Sequence, residues 1–295
     1  SHAPFGGNVV GIRAAALKYF NRRPEQLSWA EAALLAVLPN APALLYPGKN
    51  NTLLKQKRDG LLANLYREGV MSEDSYHLAL AEPLPEKKFD IPTVAPHLLA
   101  KAYRERKGKV CPTYIDGRLQ KKINEIVERH TALLSQNYIY NMAVLVAHVP
   151  TGEVRAYVGN SAPRKGSRGN DVDIVQAVRS SGSILKPALY ACMLQSGFIL
   201  PGTLVPDIPS RFGSYSPSNF NRDFKGVVPA RQALAQSLNI PFVRLLKDYS
   251  YARFYDDLKQ LGIRSLNRDA DHYGLSLILG GAETSLWDIC NLYGG

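Results

Sequence analysis

At Asn141 the hydrophobic pattern of this chain changes its period, and that change limits the possible folds more than any other feature. Before it, apolar residues recur at three- and four-residue spacing, the mark of helices that bury one face. Val9 to Phe20 is an alanine-rich amphipathic stretch. Ser28-Trp29-Ala30-Glu31 is a capping box that opens an apolar run to Leu38, and Pro39, Pro42 and Pro47 break it. Leu53 to Arg67 and Ser72 to Ala81 continue the helical spacing. After the change, Met142 to Val149 is almost continuously apolar, as in a central strand buried on both faces. Pro150-Thr151-Gly152-Glu153 makes a turn, and Val154 to Val158 alternates, with Arg155 and Tyr157 on the opposite face. A β-hairpin is predicted, followed by helical patterns at 229–236, 241–248, 252–261 and 285–293. The fold class is multidomain: an all-helical part, then an α/β domain whose sheet is only begun.

Glu82 to Pro96 is Pro-rich and polar and reads as a connector. His97 to Arg106 is predicted to be a helix and Thr113 to Asp116 a short strand. Leu119, Ile123, Ile126 and Val127 mark one face of a helix running to about Leu134. The predicted boundaries are 1–82, 83–140 and 141–295. A chain of 295 residues suits about two such domains. The formal charge of +11 suggests an anionic partner, yet the Lys and Arg are scattered, densest at Lys101 to Lys109. No basic block is interleaved with aromatics, so no nucleic-acid partner is expected. Cys111, Cys192 and Cys290 lie far apart and define neither a metal site nor a disulfide framework; the last two read as buried thiols. No apolar run reaches the roughly 18 residues of a membrane span. The chain starts at Ser1 inside folded-looking sequence and stops directly after a helical pattern, so it is expected to be an internal piece of a longer protein.

Ser180 to Gly197 carries the chemistry. A loop with Gly182 leads into an apolar helical segment that Gly197 can stop. Ile184, Leu185, Ala188, Leu189, Ala191, Cys192 and Met193 make it apolar nearly all round, which predicts burial. Ser183 and Lys186 sit at its front, and residues three apart on a helix share a face. A serine hydroxyl needs a base to become a nucleophile. A lysine in a dehydrated niche has its pKa pushed down and can be that base. One Ser-x-x-Lys is about what chance gives in such a chain, so context decides. Downstream, Ser237-Leu238-Asn239 lies between one helical segment and Pro241, where a short loop presents both polar side chains to a cleft. Ser-x-Asn recurs at 135–137 and 265–267, but only the copy at 237 lies between apolar helices.

Ser-x-x-Lys with Ser-x-Asn belongs to the motif set of penicillin-binding proteins and serine β-lactamases. Met142 to Gly159 resembles the opening hairpin of a penicillin-binding transpeptidase domain, Thr-Gly-Glu-Val turn included. Arg179 to Pro187 is similar to the nucleophile segment of class A penicillin-binding proteins. Tyr215-Ser216-Pro217-Ser218-Asn219-Phe220 resembles their Tyr-x-Pro-x-Asn-Phe segment, and Leu277 to Glu283 their Gly-Gly segment. Ala3 to Gly7, Gly11 to Phe20 and Leu27 to Pro42 resemble the end of a lysozyme-like peptidoglycan glycosyltransferase domain. Ala15, Ala16, Tyr19 and Phe20 match its Ala-Ala-x-x-Tyr-Phe motif. Asn21-Arg22 departs from the usual Gly-Lys and keeps the charge.

The resemblance implies a bifunctional cell-wall synthase on the periplasmic face of the bacterial inner membrane, anchored by an N-terminal segment not in this sequence. One domain polymerises lipid II; the other cross-links stem peptides ending in D-Ala-D-Ala and is acylated by β-lactams. It makes Ser183 the nucleophile, Lys186 the base, and Ser237 the proton carrier to the leaving amine. Asn239 would hold the donor amide and steady Lys186, Asn219 would contact substrate, and the Ser183 N–H would be an oxyanion donor. No cofactor is implied here; a divalent metal would belong to the glycosyltransferase site, whose two glutamates the resemblance places ahead of Ser1. Glu25 and Glu31 do not replace them. No Lys-Thr-Gly occurs, so the α/β domain is expected to be incomplete at its C-terminus and the piece weak or inactive alone. A penicillin-recognising sensor without turnover would share Ser183, Lys186, Ser237 and Asn239, but would need no glycosyltransferase-like first half. A β-lactamase would need a second base, and no Glu-x-x-x-Asn follows Asn239. A basic scaffold protein would be indifferent to loss of Ser183.

Overall fold

The computed structural model describes residues 2–91 and 93–294, which fall into two compact units, Ser1–Thr93 and Val94–Gly295. The first unit is helical: α1 (Ile12–Phe20), α2 (Trp29–Val37), α3 (Asn51–Arg67) and α4 (Glu73–Ala81). Ala15, Ala16 and Tyr19 of α1 are fully buried with Phe5, Leu34, Leu35, Leu38, Leu45 and Leu54; Phe20 packs on the edge of this core. Inside it the Tyr19 hydroxyl donates to Phe5 O at 2.8 Å, so its polar end is satisfied. α1 starts three residues later than the amphipathic pattern. It ends at Asn21 in the left-handed conformation (φ 53°), which asparagine tolerates best after glycine. The departure from Gly-Lys therefore keeps the helix stop. The capping box forms as expected: Glu31 N donates to Ser28 Oγ at 3.1 Å and Ser28 N to Glu31 Oε2 at 2.9 Å. Arg58, 1% exposed, donates from Nη1 to Glu82 O at 2.6 Å and ties the end of α4 to α3.

The second unit contains α5 (Pro96–Glu105), α6 (Gly117–Leu134) and the hairpin β1 (Val144–His148) with β2 (Glu153–Val158). The hairpin is antiparallel, from Val144 opposite Val158 to His148 opposite Glu153, with an irregularity at Val146/Ala147. β1 was expected to be buried on both faces; it is half-buried, and among the described residues it pairs with β2 alone. α12 (Leu286–Gly294) packs on β1, while α5 and α6 pack on β2. Gln120 of α6 is fully buried and acts as a surrogate strand on β2. It accepts from Tyr157 N at 2.8 Å and donates to Tyr157 O at 3.1 Å. Thr113 to Asp116 is not a strand: it meets β2 through one bond, Asp116 N to Arg155 O at 2.9 Å, and Asp116 then caps α6.

The rest of the unit is built around helices. In order come β3 (Arg179–Ser180), α7 (Lys186–Gln195), β4 (Leu204–Asp207), β5 (Gly226–Pro229), α8 (Ala230–Ala235), α9 (Asn239–Tyr249), α10 (Tyr251–Gln260), α11 (Ala270–Tyr273) and β6 (Glu283–Thr284). β3 pairs with β6 and β4 with β5, both antiparallel. Leu185, Leu189, Met193, Phe242, Val243, Leu246, Phe254 and Leu258 form one continuous core. α7 is not buried all round. It packs on α8, α9 and α10, whereas Ala191 is exposed and Cys192 lies half-buried. Cys290 is also half-buried, and desolvation raises both thiols above their ordinary pKa.

Candidate active site

Ser183 lies in the turn that joins β3 to α7, and α7 begins only at Lys186. The preceding residues are pinned to the Gly-Gly segment. Ser181 N donates to Ala282 O at 2.9 Å and Ser180 Oγ to Gly280 O at 2.8 Å. Gly182 takes a left-handed conformation (φ 54°) that turns the chain back toward α7. Ser183 is exposed, and its N–H donates to none of the described residues.

Lys186 is 1% exposed although it opens a helix. Its Nζ donates to Asn239 Oδ1 at 2.7 Å and to Ser237 O at 2.8 Å, with Ser237 Oγ at 3.3 Å. The Phe242 ring centroid lies 5.7 Å away. Burial pushes the ammonium down to about 8. The two short bonds go to oxygens that only accept. The third can reverse: neutral Lys186 has a lone pair to which the Ser237 hydroxyl can donate. The expected side-chain bond between Ser183 and Lys186 is not formed. Lys186 turns to the loop between α8 and α9, which offers a carbonyl and an amide oxygen where the Ser183 turn offers one hydroxyl. Such bonds are often long until substrate binds.

That loop is a helix stop bent to another use. Leu238 N donates to Ala233 O at 3.0 Å and Ser237 N to Leu234 O at 2.9 Å, the two bonds of a Schellman motif ending α8. The left-handed position normally belongs to glycine; here Ser237 holds it at φ 51° and stays exposed. We expect Ser237→Gly to be about 1 kcal/mol more stable than Ser237→Ala, since both lose the hydroxyl but only glycine relieves the backbone. Urea unfolding of the two variants measures this, and equal stabilities would refute the strain.

Asn239 is the first residue of α9, and its Nδ2 donates to Ser218 O at 2.9 Å. Asn219, 5% exposed, accepts from Asn239 N at 2.9 Å and Ile240 N at 3.3 Å, capping α9 from outside. Its Nδ2 donates to Asp207 Oδ1 at 2.7 Å and Asp223 O at 2.9 Å. With every amide atom engaged internally, Asn219 has the geometry of a positioning group rather than a substrate contact. Asp207 and Ser218 complete the arrangement and carry no local sequence signal. Among the described residues no group of three or more His, Cys, Asp or Glu side chains is placed to hold a metal ion.

A serine on a pinned turn and a Ser-x-Asn loop are thus gathered around a desolvated lysine. The chain matches the transglycosylase family over residues 1–66 and the penicillin binding protein transpeptidase domain over residues 142–290. It belongs to the class A penicillin-binding proteins, in which the first domain precedes the second. It is 34% identical to penicillin-binding protein 1C of Escherichia coli over 99% of this chain and 38% of that protein. It is 27% identical to penicillin-binding protein 1F of Bacillus subtilis over 95% of this chain and 40% of that one. The chain thus spans less than half the length of these relatives. The crystal structure of penicillin-binding protein 1A from Haemophilus influenzae shares the fold, with a TM-score of 0.63 at 17% identity over 100% of this chain and 59% of that one. No helix among the described residues is long and apolar enough to cross a membrane.

Proposed function

We propose that these residues belong to a bifunctional peptidoglycan synthase that polymerises lipid II and cross-links stem peptides at the periplasmic face of the inner membrane. The observation that carries the acyl-transfer half is Lys186, buried to 1% exposure and holding Ser237 and Asn239, one turn after an exposed Ser183. Neutral Lys186 takes the Ser183 proton as Oγ attacks the carbonyl carbon of a D-Ala-D-Ala peptide or a β-lactam. The Ser183 N–H receives the developing oxyanion. The carbonyl C–N bond then breaks, and the proton returns from Lys186 through the Ser237 hydroxyl to the departing nitrogen. An acceptor amine next attacks the acyl-enzyme, its proton taking the reverse path, and the cross-link forms as Ser183 is released.

In residues 1–66 the family resemblance supports the glycan-polymerising role of the longer protein. Ala15, Ala16 and Tyr19 serve there as core, and Glu31 is committed to its capping box. Residues 1–295 alone are proposed to be inactive in glycan polymerisation and weak in acyl transfer. They contain no Lys-Thr-Gly, the segment that by resemblance supplies a second oxyanion donor. Loss of one such donor lowers rates about 10²- to 10³-fold in other acyl transferases.

The test is covalent labelling with a fluorescent penicillin, comparing this chain and its full-length form with Ser183→Ala in each. Labelling of the full-length form that disappears in Ser183→Ala is the expected result, with slower labelling of residues 1–295. Equal labelling of the Ser183→Ala protein would reject the site. Glycan polymerisation from lipid II by residues 1–295 would reject the inactivity of the first half.

A further inference from the structure

Asp207 ends β4 with a fully buried carboxylate. Its Oδ1 accepts from Asn219 Nδ2 at 2.7 Å and its Oδ2 from Lys225 N at 3.0 Å. A buried ionised group is costly, and a neutral residue would seat β4 against α9 at less expense. What the carboxylate adds is direction. It can only accept, so the Asn219 amide must turn its NH₂ toward Asp207 and its oxygen toward α9. That oxygen takes the first two N–H groups of the helix, from Asn239 and Ile240, and Pro241 has none to offer. With Asp207 replaced by a group that cannot accept, the NH₂ keeps only Asp223 O as an acceptor, and the amide loses the charge-assisted bond that holds it most firmly against those N–H groups. The start of α9 would shift, and with it the oxygen that Lys186 holds.

We propose that Asp207 is a positioning residue for acyl transfer: by orienting the Asn219 amide it seats α9 and keeps Asn239 Oδ1 on Lys186. This rests on the acyl-transfer reading of the site. Three remote stretches, at 207, 219 and 239, thereby act as one chain of hydrogen bonds, each bond polarising the next. Lys186 Nζ is faced by Ser237 and Asn239 from the α8–α9 loop and the start of α9, and by the Phe242 ring from α9. Among the described residues no acidic or basic side chain forms an ion pair with it, and Asp207 acts from behind Asn219.

The experiment measures penicillin acylation of full-length protein from neutral to alkaline pH for Asp207→Ala and Asp207→Asn. Deuterium exchange at the start of α9 is followed in parallel. Asp207→Ala is expected to acylate about 10- to 100-fold more slowly, since a small misplacement of a reacting group far from the substitution can cost that much. Its alkaline rise should move to lower pH, because the Lys186 ammonium loses an accepting partner while staying buried. Exchange at the first amides of α9 should accelerate. Asp207→Asn keeps an oxygen for Asn219 and should recover part of the rate. A folded Asp207→Ala with wild-type rate, pH profile and exchange overturns the proposal. If that variant does not fold, wild-type rate and pH profile in Asp207→Asn overturn it instead, since its NH₂ opposes the Lys225 N–H. Failure of the acyl-transfer reading looks different: the wild-type protein itself would not be labelled at Ser183.

Discussion

Lys186→Met is expected to abolish penicillin acylation, by at least about 10³-fold, while leaving the protein folded. Methionine fills the same volume and has no proton to take or return. The effect on stability depends on pH, and its sign is fixed by burial. In the unfolded chain Lys186 has an ordinary pKa of 10.5; in the folded state desolvation lowers it to about 8. The folded state therefore binds fewer protons between those values, and wild-type stability rises with pH across that window. Below about 8 the whole penalty of the buried ammonium is present, about 3 kcal/mol. The variant has no such group. Its stability relative to wild type should accordingly fall by about that amount from neutral pH to above 10.5. Urea unfolding at several pH values gives the difference directly, and a difference that stays flat would mean that Lys186 is not desolvated. In the wild type, acylation should climb as pH rises toward about 8 and then level off, as a base that must be neutral requires.

Gly280→Ala should lower both stability and acylation. Gly280 holds φ 107°, where no side chain is comfortable, and a Cβ there would lie 2.5 Å from Ser180 Oγ and 3.0 Å from Gly182 N and Cα. The serine can rotate away, but the Gly182 backbone has no such freedom, and it is the residue just before Ser183. We expect a loss of about 2–4 kcal/mol, strain and displacement together. Acylation should fall further than the unfolded fraction explains, because the Ser183 turn is pushed off its anchor. Gly202→Ala is the control: a Cβ there meets nothing within 4 Å. Equal effects of the two substitutions in unfolding and labelling assays would remove the proposed anchoring of the Ser183 turn.

The helices were legible because their signals are local. Ser28 and Glu31 announce a helix start within four residues, and α6 repeats its apolar face every three or four. Ser183, Lys186, Ser237 and Asn239 were singled out from short motifs whose order mattered more than their spacing. What they touch was not legible. Helical spacing suggested that Lys186 faces Ser183, whereas burial draws it to a loop 51 residues away, which supplies more acceptors. β4 and β5 are four residues long, and each contains a proline, so no alternation could show them. Asp207 is one aspartate among many until Asn219, 12 residues on, turns toward it. The buried-strand reading of β1 failed because an apolar run reports only affinity for cover. Here α12 lies against β1, and among the described residues only β2 pairs with it.

Ser237 stands where a helix stop prefers glycine, at φ 51°. A population selected only for survival of heat would drift to glycine there, gaining about 1 kcal/mol and losing the hydroxyl beside Lys186. One selected for the proposed acyl transfer would hold the serine and recover the lost stability elsewhere. The same codon thus records which pressure a lineage has been under, and a heat-selected library sequenced at this position would show it.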